Sequence, residues 1–266
     1  MPKRTVVFAL CVGAIVVAIG AALRSASSSG SHPGLGSLAA EARSLPRPEH
    51  PAFRVGAPIF LPAGETRATF APVARLVTAR QAPSPAAPEV AELSTLTPDT
   101  TSNIVAVLRQ RTKGHVLWVQ IRLPVLPNNQ TGWVPRDSLG GYQFVHTRLV
   151  VDRERFTATL FDDGRQLFRA PVGVGRPEAP TPVGNFLVVD RLTRFSDPIY
   201  GPIAFGTSAR SPVLTDWPGG GVVGIHGTNE PELIPGRISH GCIRMRNADI
   251  LRLSRLMPLG TLLTIR

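Results

Sequence analysis

Apolar residues along most of the chain occur in short runs in which they tend to alternate with polar ones. A period of two, in runs of four to eight residues bounded by turn formers, is typical of β-strands. Between residues 68 and 142 the runs are RLVTA, EVAEL, NIVAVLRQ, HVLWVQIRL and GWVP. Between 143 and 266 they are RLVVDRE, RFTATLFDD, RQLFRAPVGVG, GNFLVVDRLT and TLLTIR. The pattern predicts a mainly β protein, with a hairpin turn at Asp162–Asp163–Gly164.

One segment, NADILRLSRLM at residues 247–257, has the spacing of a helix instead. Asn247 or Asp249 is placed to cap its start. Four apolar side chains share one face of such a helix: Ile250, Leu253, Leu256 and Met257. We therefore expect one short helix near the carboxyl end of the chain.

The composition allows one or two folded domains in 266 residues and excludes a helical bundle. Apolar residues make up 43% of the chain, enough to build cores, and 26 prolines with 25 glycines suit turn-rich β structure. The net charge of +11 comes from no concentrated block of basic residues. Nucleic-acid binding needs such a patch, so we expect no nucleic-acid partner. The diffuse charge suits attraction to a cell wall or a membrane surface.

The amino terminus has the features of an export segment. Lys3 and Arg4 precede an uncharged apolar run of eighteen residues, Val6–Leu23. This is longer than the core of a signal peptide, about 7–15 residues, and slightly shorter than a spanning helix of about 20. Both alternatives remain open, and both place the rest of the chain outside the cytoplasm, in the cell envelope. We divide the chain into a signal peptide or membrane anchor (1–24), a Pro/Ser/Gly-rich linker (25–67) and two domains (68–142 and 143–266).

A single cysteine, Cys242, remains in the exported part, because Cys11 lies within the apolar run. A thiol at neutral pH is mostly protonated, so a nucleophilic cysteine needs a base beside it. His240 is two residues away and His226 is sixteen residues away. In an extended chain His240, Cys242 and Arg244 point to the same side. The N–H groups of Gly241 and Cys242 are candidates for stabilising an oxyanion.

The region around this cysteine resembles the catalytic motif of YkuD-type L,D-transpeptidases, H-G-T-N-x-P followed by [S/T]-H-G-C-[I/V]-R-[M/L]-x-N-x-D. The matching residues are His226, Gly227, Thr228, Asn229, Pro231, Ser239, His240, Gly241, Cys242, Ile243, Arg244, Met245, Asn247 and Asp249. Upstream, Gly175 and Thr181–Phe186 resemble the T-P-x-G-x-F hairpin of the same family. The segment 68–142 resembles a bacterial SH3-like domain, through Trp118–Ile121 and Thr131–Pro135. The fold class implied is a small SH3-like β-barrel followed by a β-sandwich-type catalytic domain with one helix after the cysteine motif.

The resemblance also implies roles for individual residues. Cys242 is the expected acylated nucleophile and His226 its general acid and base. Ser239, His240 and Gly241 are expected to shape the site and stabilise the oxyanion. Substrate binding or support of the site is expected from Arg244, Gly227, Thr228, Asn229 and Tyr200. No metal and no cofactor is expected.

The implied reaction is peptidoglycan cross-linking through a cysteine thioester. A tetrapeptide stem acylates the enzyme and releases D-alanine, and a diaminopimelate-type amine of a second stem then forms the 3→3 cross-link. Carbapenem β-lactams are expected covalent ligands. Three alternatives remain: an L,D-carboxypeptidase with water as acceptor, a zinc hydrolase with His226, His240 and Cys242 as ligands, and a non-catalytic wall-binding adaptor built around the first domain.

Overall fold

Two β-sheets and one α-helix make up the part of the chain that the computed structural model describes, residues 67–193, 198–213 and 221–266. All of these residues belong to one compact unit, Val55–Arg266. The predicted export segment and the predicted linker, except for Arg67, lie outside the described residues. Within those residues, no helix is both long enough and apolar enough to cross a membrane.

The first sheet is antiparallel and has its strands in the order β3-β2-β6-β5-β4-β1-β7. Its core contains Val119, Ile121 and Val134, and both tryptophans, Trp118 and Trp133, are buried. The described pairings do not join β3 to β7, so the sheet is not closed into a barrel by them, and the SH3-like assignment stays a prediction. The strands are β1 (Ala68–Pro72), β2 (Val77–Arg80), β3 (Glu89–Leu93), β4 (Ile104–Lys113), β5 (Val116–Arg122), β6 (Thr131–Pro135) and β7 (Gln143–Val145).

The second sheet is mixed and has the order β10-β9-β8-β17-β12-β13-β14-β16-β11-β15. The hairpin that the sequence predicted is present and turns at Asp163 and Gly164, which both have positive φ (48° and 81°). The strands are β8 (Thr147–Asp152), β9 (Thr157–Asp162), β10 (Arg165–Pro171), β11 (Gly173–Gly175), β12 (Gly184–Leu192), β13 (Ala204–Arg210), β14 (Val222–His226), β15 (Gly236–Ser239), β16 (Ile243–Arg244) and β17 (Leu262–Ile265).

The predicted helix is present as α1 (Asn247–Leu256), and Ile250 and Leu253 are buried against the core of the second sheet. The predicted cap is wrong, because the N-cap position is Arg246 and no side chain caps it. The Asn247 side chain is engaged elsewhere, since its Oδ1 accepts a hydrogen bond from the Thr228 N–H at 2.9 Å. Asn247 therefore ties the helix to the loop after β14.

The two sheets share a hydrophobic cluster. Phe70 and Ile104 of the first sheet pack with Leu187 and Val189 of β12. The first sheet extends to Val145 through β7, three residues beyond the boundary drawn at 142/143. This shared core opposes the view of two independently folding domains.

We expect Phe70→Ala to lower the free energy of unfolding by about 3–5 kcal/mol, because Phe70 is buried at the junction and its loss leaves a cavity. Urea denaturation measures this change, and both sheets should unfold in one transition. The matched control is Leu76→Ala, since Leu76 is 62% exposed and its truncation should change stability little. A separate transition for the first sheet would contradict the shared core.

Candidate active site

The cleft is built on two neighbouring parallel strands, β14 and β16. Ile225 pairs with Ile243 and His226 with Arg244. Cys242 immediately precedes β16 and lies opposite Gly224, whose N–H donates a hydrogen bond to Sγ at 3.4 Å. The strand pairing thus brings together residues that are sixteen positions apart in the sequence.

The thiol and the imidazole lie on the same side of this strand pair. A Cβ at residue 224 would be 3.8 Å from Sγ of Cys242 and 3.9 Å from Cδ2 of His226. Because residue 224 is glycine, no side chain separates the two groups. The structure therefore places the predicted nucleophile and the predicted base beside one space.

His226 is buried, and burial lowers its pKa from 6.5 to about 4. The nearby charge of Arg244 also lowers this pKa, whereas hydrogen bonds to the backbone of Gly227 and Ile199 raise it. Nδ1 lies 2.7 Å from the Gly227 carbonyl oxygen, which can only accept. A neutral imidazole that donates from Nδ1 carries its lone pair on Nε2, so Nε2 is the nitrogen left to accept a proton from a neighbouring group.

Burial raises the pKa of the Cys242 thiol above its ordinary value of 9.0. The Gly224 hydrogen bond and the positive charge of Arg244 act in the opposite direction and do not overcome burial. At neutral pH the resting pair is therefore a thiol and a neutral imidazole.

The turn that carries Cys242 is held by Ser239 and Thr181. Ser239 Oγ donates to the Cys242 carbonyl at 2.5 Å and accepts the Gly241 N–H at 3.1 Å. Thr181 Oγ1 donates to the Gly241 carbonyl at 2.8 Å and accepts the Gly175 N–H at 2.8 Å. Gly241 has a φ of +121°, a conformation that side chains disfavour. In this conformation its N–H is occupied, which leaves the Cys242 N–H as the candidate oxyanion donor.

Arg244 is buried beside the cleft, and its guanidinium forms an ion pair with Glu230 at 3.0 Å. Its Nε is buried without a hydrogen-bond partner. Gly227 and Gly201 pack against Asn247, where a Cβ on either would collide with the amide oxygen. Arg244 thus lines the cleft, while the loop after β14 is packed against Asn247 at the start of α1.

Of the remaining predicted residues, Tyr200 and His240 line the same cleft. Gly227, Thr228 and Asn229 are not among its lining residues, and Asn229 is exposed. The ring of Tyr200 meets that of His226 edge to face, with centroids 5.1 Å apart. His240 is exposed at the edge of the cleft. The lining residues are Ile199, Tyr200, Ser211, Gly221, Val222, Val223, His226, Ser239, His240, Gly241, Cys242 and Arg244. Among the described residues no group of three or more His, Cys, Asp or Glu is arranged to hold a metal ion, so the zinc alternative lacks a ligand set there.

Four contributions were missed by sequence reasoning: those of Thr181, Gly224, Glu230 and Asn247. In the sequence, Thr181 stands only as part of the T-P-x-G-x-F resemblance, and Asn247 only as a motif residue and a candidate helix cap. The short GVVGIH segment has a glycine two residues before the histidine. This position, where a strand residue would share a face with His226, is the sequence feature that could have pointed to Gly224. For Glu230 the sequence offers no signal beyond its position four residues after His226.

Residues 146–265 match the model of the YkuD family, the L,D-transpeptidase catalytic domain. We refer to this part of the chain as the YkuD-type domain, after the family whose model it matches. Two curated relatives, both named YkuD and designated L,D-transpeptidases, are similar to it. The Bacillus licheniformis protein is 33% identical over 118 residues, which cover 44% of this chain and 64% of the relative. The Bacillus subtilis protein is 34% identical over 109 residues, covering 41% and 59%. The chain thus aligns with less than two thirds of either relative.

Among solved structures, a C442S mutant of the Enterococcus faecium L,D-transpeptidase is 23% identical and covers 45% of this chain and 49% of its own, with a TM-score of 0.37. Because this identity and this TM-score are low, the structural similarity supports no assignment of function. The assignment of the YkuD-type domain rests on the family model and on the curated relatives.

The Cys242 thiol should titrate above its ordinary pKa of 9.0, because burial disfavours the thiolate. We expect almost no thiolate absorbance in the ultraviolet at pH 7, with the Cys242→Ser variant as baseline. A thiolate signal already present near pH 6 would contradict the neutral pair and indicate a preformed ion pair with His226.

Proposed function

We propose that this protein is a peptidoglycan L,D-transpeptidase that forms 3→3 cross-links through a thioester on Cys242. The observation that supports this most directly is the shared position of the Cys242 thiol and the neutral His226 imidazole beside Gly224. The YkuD-type domain implies a peptidoglycan substrate. A nucleophile with an adjacent base in a cleft is the arrangement that covalent acyl transfer needs.

The first half-reaction acylates the enzyme. Sγ attacks the carbonyl carbon of the amide that precedes the terminal D-alanine of a tetrapeptide stem, while His226 accepts the thiol proton. The Cys242 N–H stabilises the negative charge on the carbonyl oxygen. When the amide bond breaks, His226 gives its proton to the departing amine of D-alanine, and the stem remains as a thioester.

The second half-reaction restores the thiol. An amine of a diaminopimelate-type side chain on another stem attacks the thioester carbonyl, and His226 accepts the proton that this amine loses. The carbon–sulfur bond breaks, the sulfur recovers a proton, and a new amide links the two stems. One amide is broken and one is formed, so no external energy source is required.

The site of action that we propose is the cell envelope, outside the cytoplasmic membrane. Its support comes from the sequence alone, namely the basic start and the apolar run Val6–Leu23. The first sheet is proposed to be an SH3-like module that contacts the wall or positions the catalytic domain. Carbapenems are proposed as covalent ligands of Cys242, since their acyl group can take the place of the stem.

Cys242→Ala should abolish D-alanine release from a disaccharide-tetrapeptide, because no other described residue supplies a thiol. Mass spectrometry of the protein with this substrate should show a thioester adduct in the unsubstituted chain and none in the variant. The matched control is Cys11→Ala, which should retain both the adduct and the release. Retained release in the Cys242 variant would overturn the proposed nucleophile.

The same assay separates the two acyl acceptors. With an amine acceptor present, a transpeptidase produces the cross-linked dimer, whereas an L,D-carboxypeptidase produces only the shortened tripeptide stem. We expect the dimer to dominate. Exclusive hydrolysis in the presence of a diaminopimelate-containing acceptor would identify the carboxypeptidase instead.

His226→Ala should lower the rate of Cys242 acylation by a carbapenem about 10²–10⁴-fold, the usual contribution of a general base. In the unsubstituted protein the rate should fall as the pH drops through about 4, because protonated His226 cannot accept the thiol proton.

The pKa of His226 in the folded protein also affects stability, because it lies below its ordinary value of 6.5. Its contribution to stability is therefore present above about pH 6.5 and is lost as the pH falls towards 4.

Circular dichroism at each pH must show that the chain remains folded. His240→Ala serves as the second variant, because this exposed side chain borders the cleft without being the proposed base. We expect the acylation rate of His240→Ala to fall as the pH drops through about 4, as in the unsubstituted protein. If the acylation rate of His226→Ala fell over the same pH range, a different group would be the base.

A further inference from the structure

We propose that Asn128 and Asn129 are positioning residues of the active site, although they belong to the first sheet and lie outside the YkuD-type domain. The inference rests on the proposed transpeptidase function, because it concerns how the nucleophile and the cleft wall of that site are held. Both residues lie in the loop between β5 and β6. Each binds the backbone of the second sheet at two points.

Asn128 binds the end of β13. Its Nδ2 donates to the Arg210 carbonyl at 2.7 Å, and its Oδ1 accepts the Arg210 N–H at 2.9 Å. The Arg210 side chain returns to the same loop, where its Nε donates to the Pro124 carbonyl at 2.9 Å. A carboxamide carries both a hydrogen-bond donor and an acceptor. Asn128 therefore pairs with the backbone N–H and carbonyl of Arg210 as a neighbouring strand would.

The residues beside Arg210 form a wall of the cleft. Ser211 follows it directly and lines the cleft together with Gly221 and Val222. The Ser211 N–H donates to the Gly221 carbonyl at 2.8 Å, and Val222 pairs with Arg210 between β14 and β13. By fixing Arg210, Asn128 holds the wall against which a bound stem peptide would lie.

Asn129 binds the start of β12 in the same manner. Its Nδ2 donates to the Val183 carbonyl at 3.3 Å, and its Oδ1 accepts the Asn185 N–H at 2.9 Å. Gly184, between these two residues, has a φ of +141°. The Asn129 amide occupies the space that a Cβ of residue 184 would need. Glycine at this position therefore allows the amide of the first sheet to approach the hairpin.

This second attachment leads to the nucleophile. Thr181 lies two residues before Val183, and its Oγ1 donates to the Gly241 carbonyl at 2.8 Å. Gly241 immediately precedes Cys242. Asn129 thus holds the segment that supports the nucleophile turn, whereas Asn128 holds the cleft wall. The two neighbouring side chains thus attach to two different segments of one site.

The different attachments predict different kinetic effects, measured as acylation of Cys242 in the full chain by a carbapenem. Asn129→Ala should lower the rate constant at saturation about fivefold, which corresponds to about 1 kcal/mol, the typical worth of one hydrogen bond. Its half-saturating concentration should change little. Asn128→Ala should raise the half-saturating concentration about fivefold and leave the saturating rate nearly unchanged.

Two further variants separate positioning from ordinary stability. Asn128→Asp and Asn129→Asp each keep the oxygen that accepts the backbone N–H and should recover part of the loss seen in the alanine variants. Asn103→Ala is the matched control, because the Asn103 side chain donates to the Ser94 carbonyl at 2.8 Å within the first sheet. It should lower the melting temperature while leaving both kinetic constants unchanged.

The inference is overturned if both asparagine variants keep the kinetic constants of the unsubstituted protein. It is also overturned if Asn103→Ala changes those constants in proportion to the stability that it loses. If the unsubstituted protein is not acylated at all, the proposed function fails. The positioning role is then judged by alkylation of Cys242 with iodoacetamide, whose rate Asn129→Ala should change about fivefold and Asn103→Ala should not.

Discussion

The parallel pairing of β14 with β16 is the constraint on which the site depends. β16 has only two residues, so its own hydrogen bonds could not fix its register. Ile225 and Ile243, paired side by side and fully buried, do so, because a slip of one residue would turn an apolar side chain out of the core. The same slip would turn Cys242 away from His226. The register that the core enforces is therefore also the register that the chemistry requires.

The burial that fixes this register also sets the charges of the site. Exclusion of water lowers the pKa of His226 and raises that of Cys242, so both groups are neutral at rest. The Arg244 charge acts on them unequally, because it disfavours imidazolium but favours thiolate. In the proposed mechanism, proton transfer between them therefore coincides with attack on the substrate, when the developing charge on the carbonyl oxygen can be stabilised. This favours general-base catalysis over a preformed ion pair.

The sequence predicted the strands whose residues alternate, and it failed at the strands that carry the site. β13 reads AFGTSAR, with mostly small and polar side chains, yet all but Arg210 are buried, so both faces of the strand are covered. Such a strand has no alternating pattern to detect. Cys242 and His226 could be found because their residue types imply chemistry. The role of Thr181 could not, since it arises from a contact sixty positions away with Gly241. Spacing alone does not contain that contact.

The packing of the two sheets against each other was the other feature that the alternation of apolar and polar residues could not predict. A run of alternating residues indicates that one face is covered, but not which element covers it. Here Leu187 and Val189 of β12 pack on the first sheet, and the buried Asp190 carboxylate accepts hydrogen bonds from Thr101 and from the Gly206 N–H of β13. Separation would expose this apolar surface and remove a partner of that carboxylate. Since β12 follows Thr181 and β13 leads to Ser211, the shared core connects the first sheet to two segments that border the cleft around Cys242.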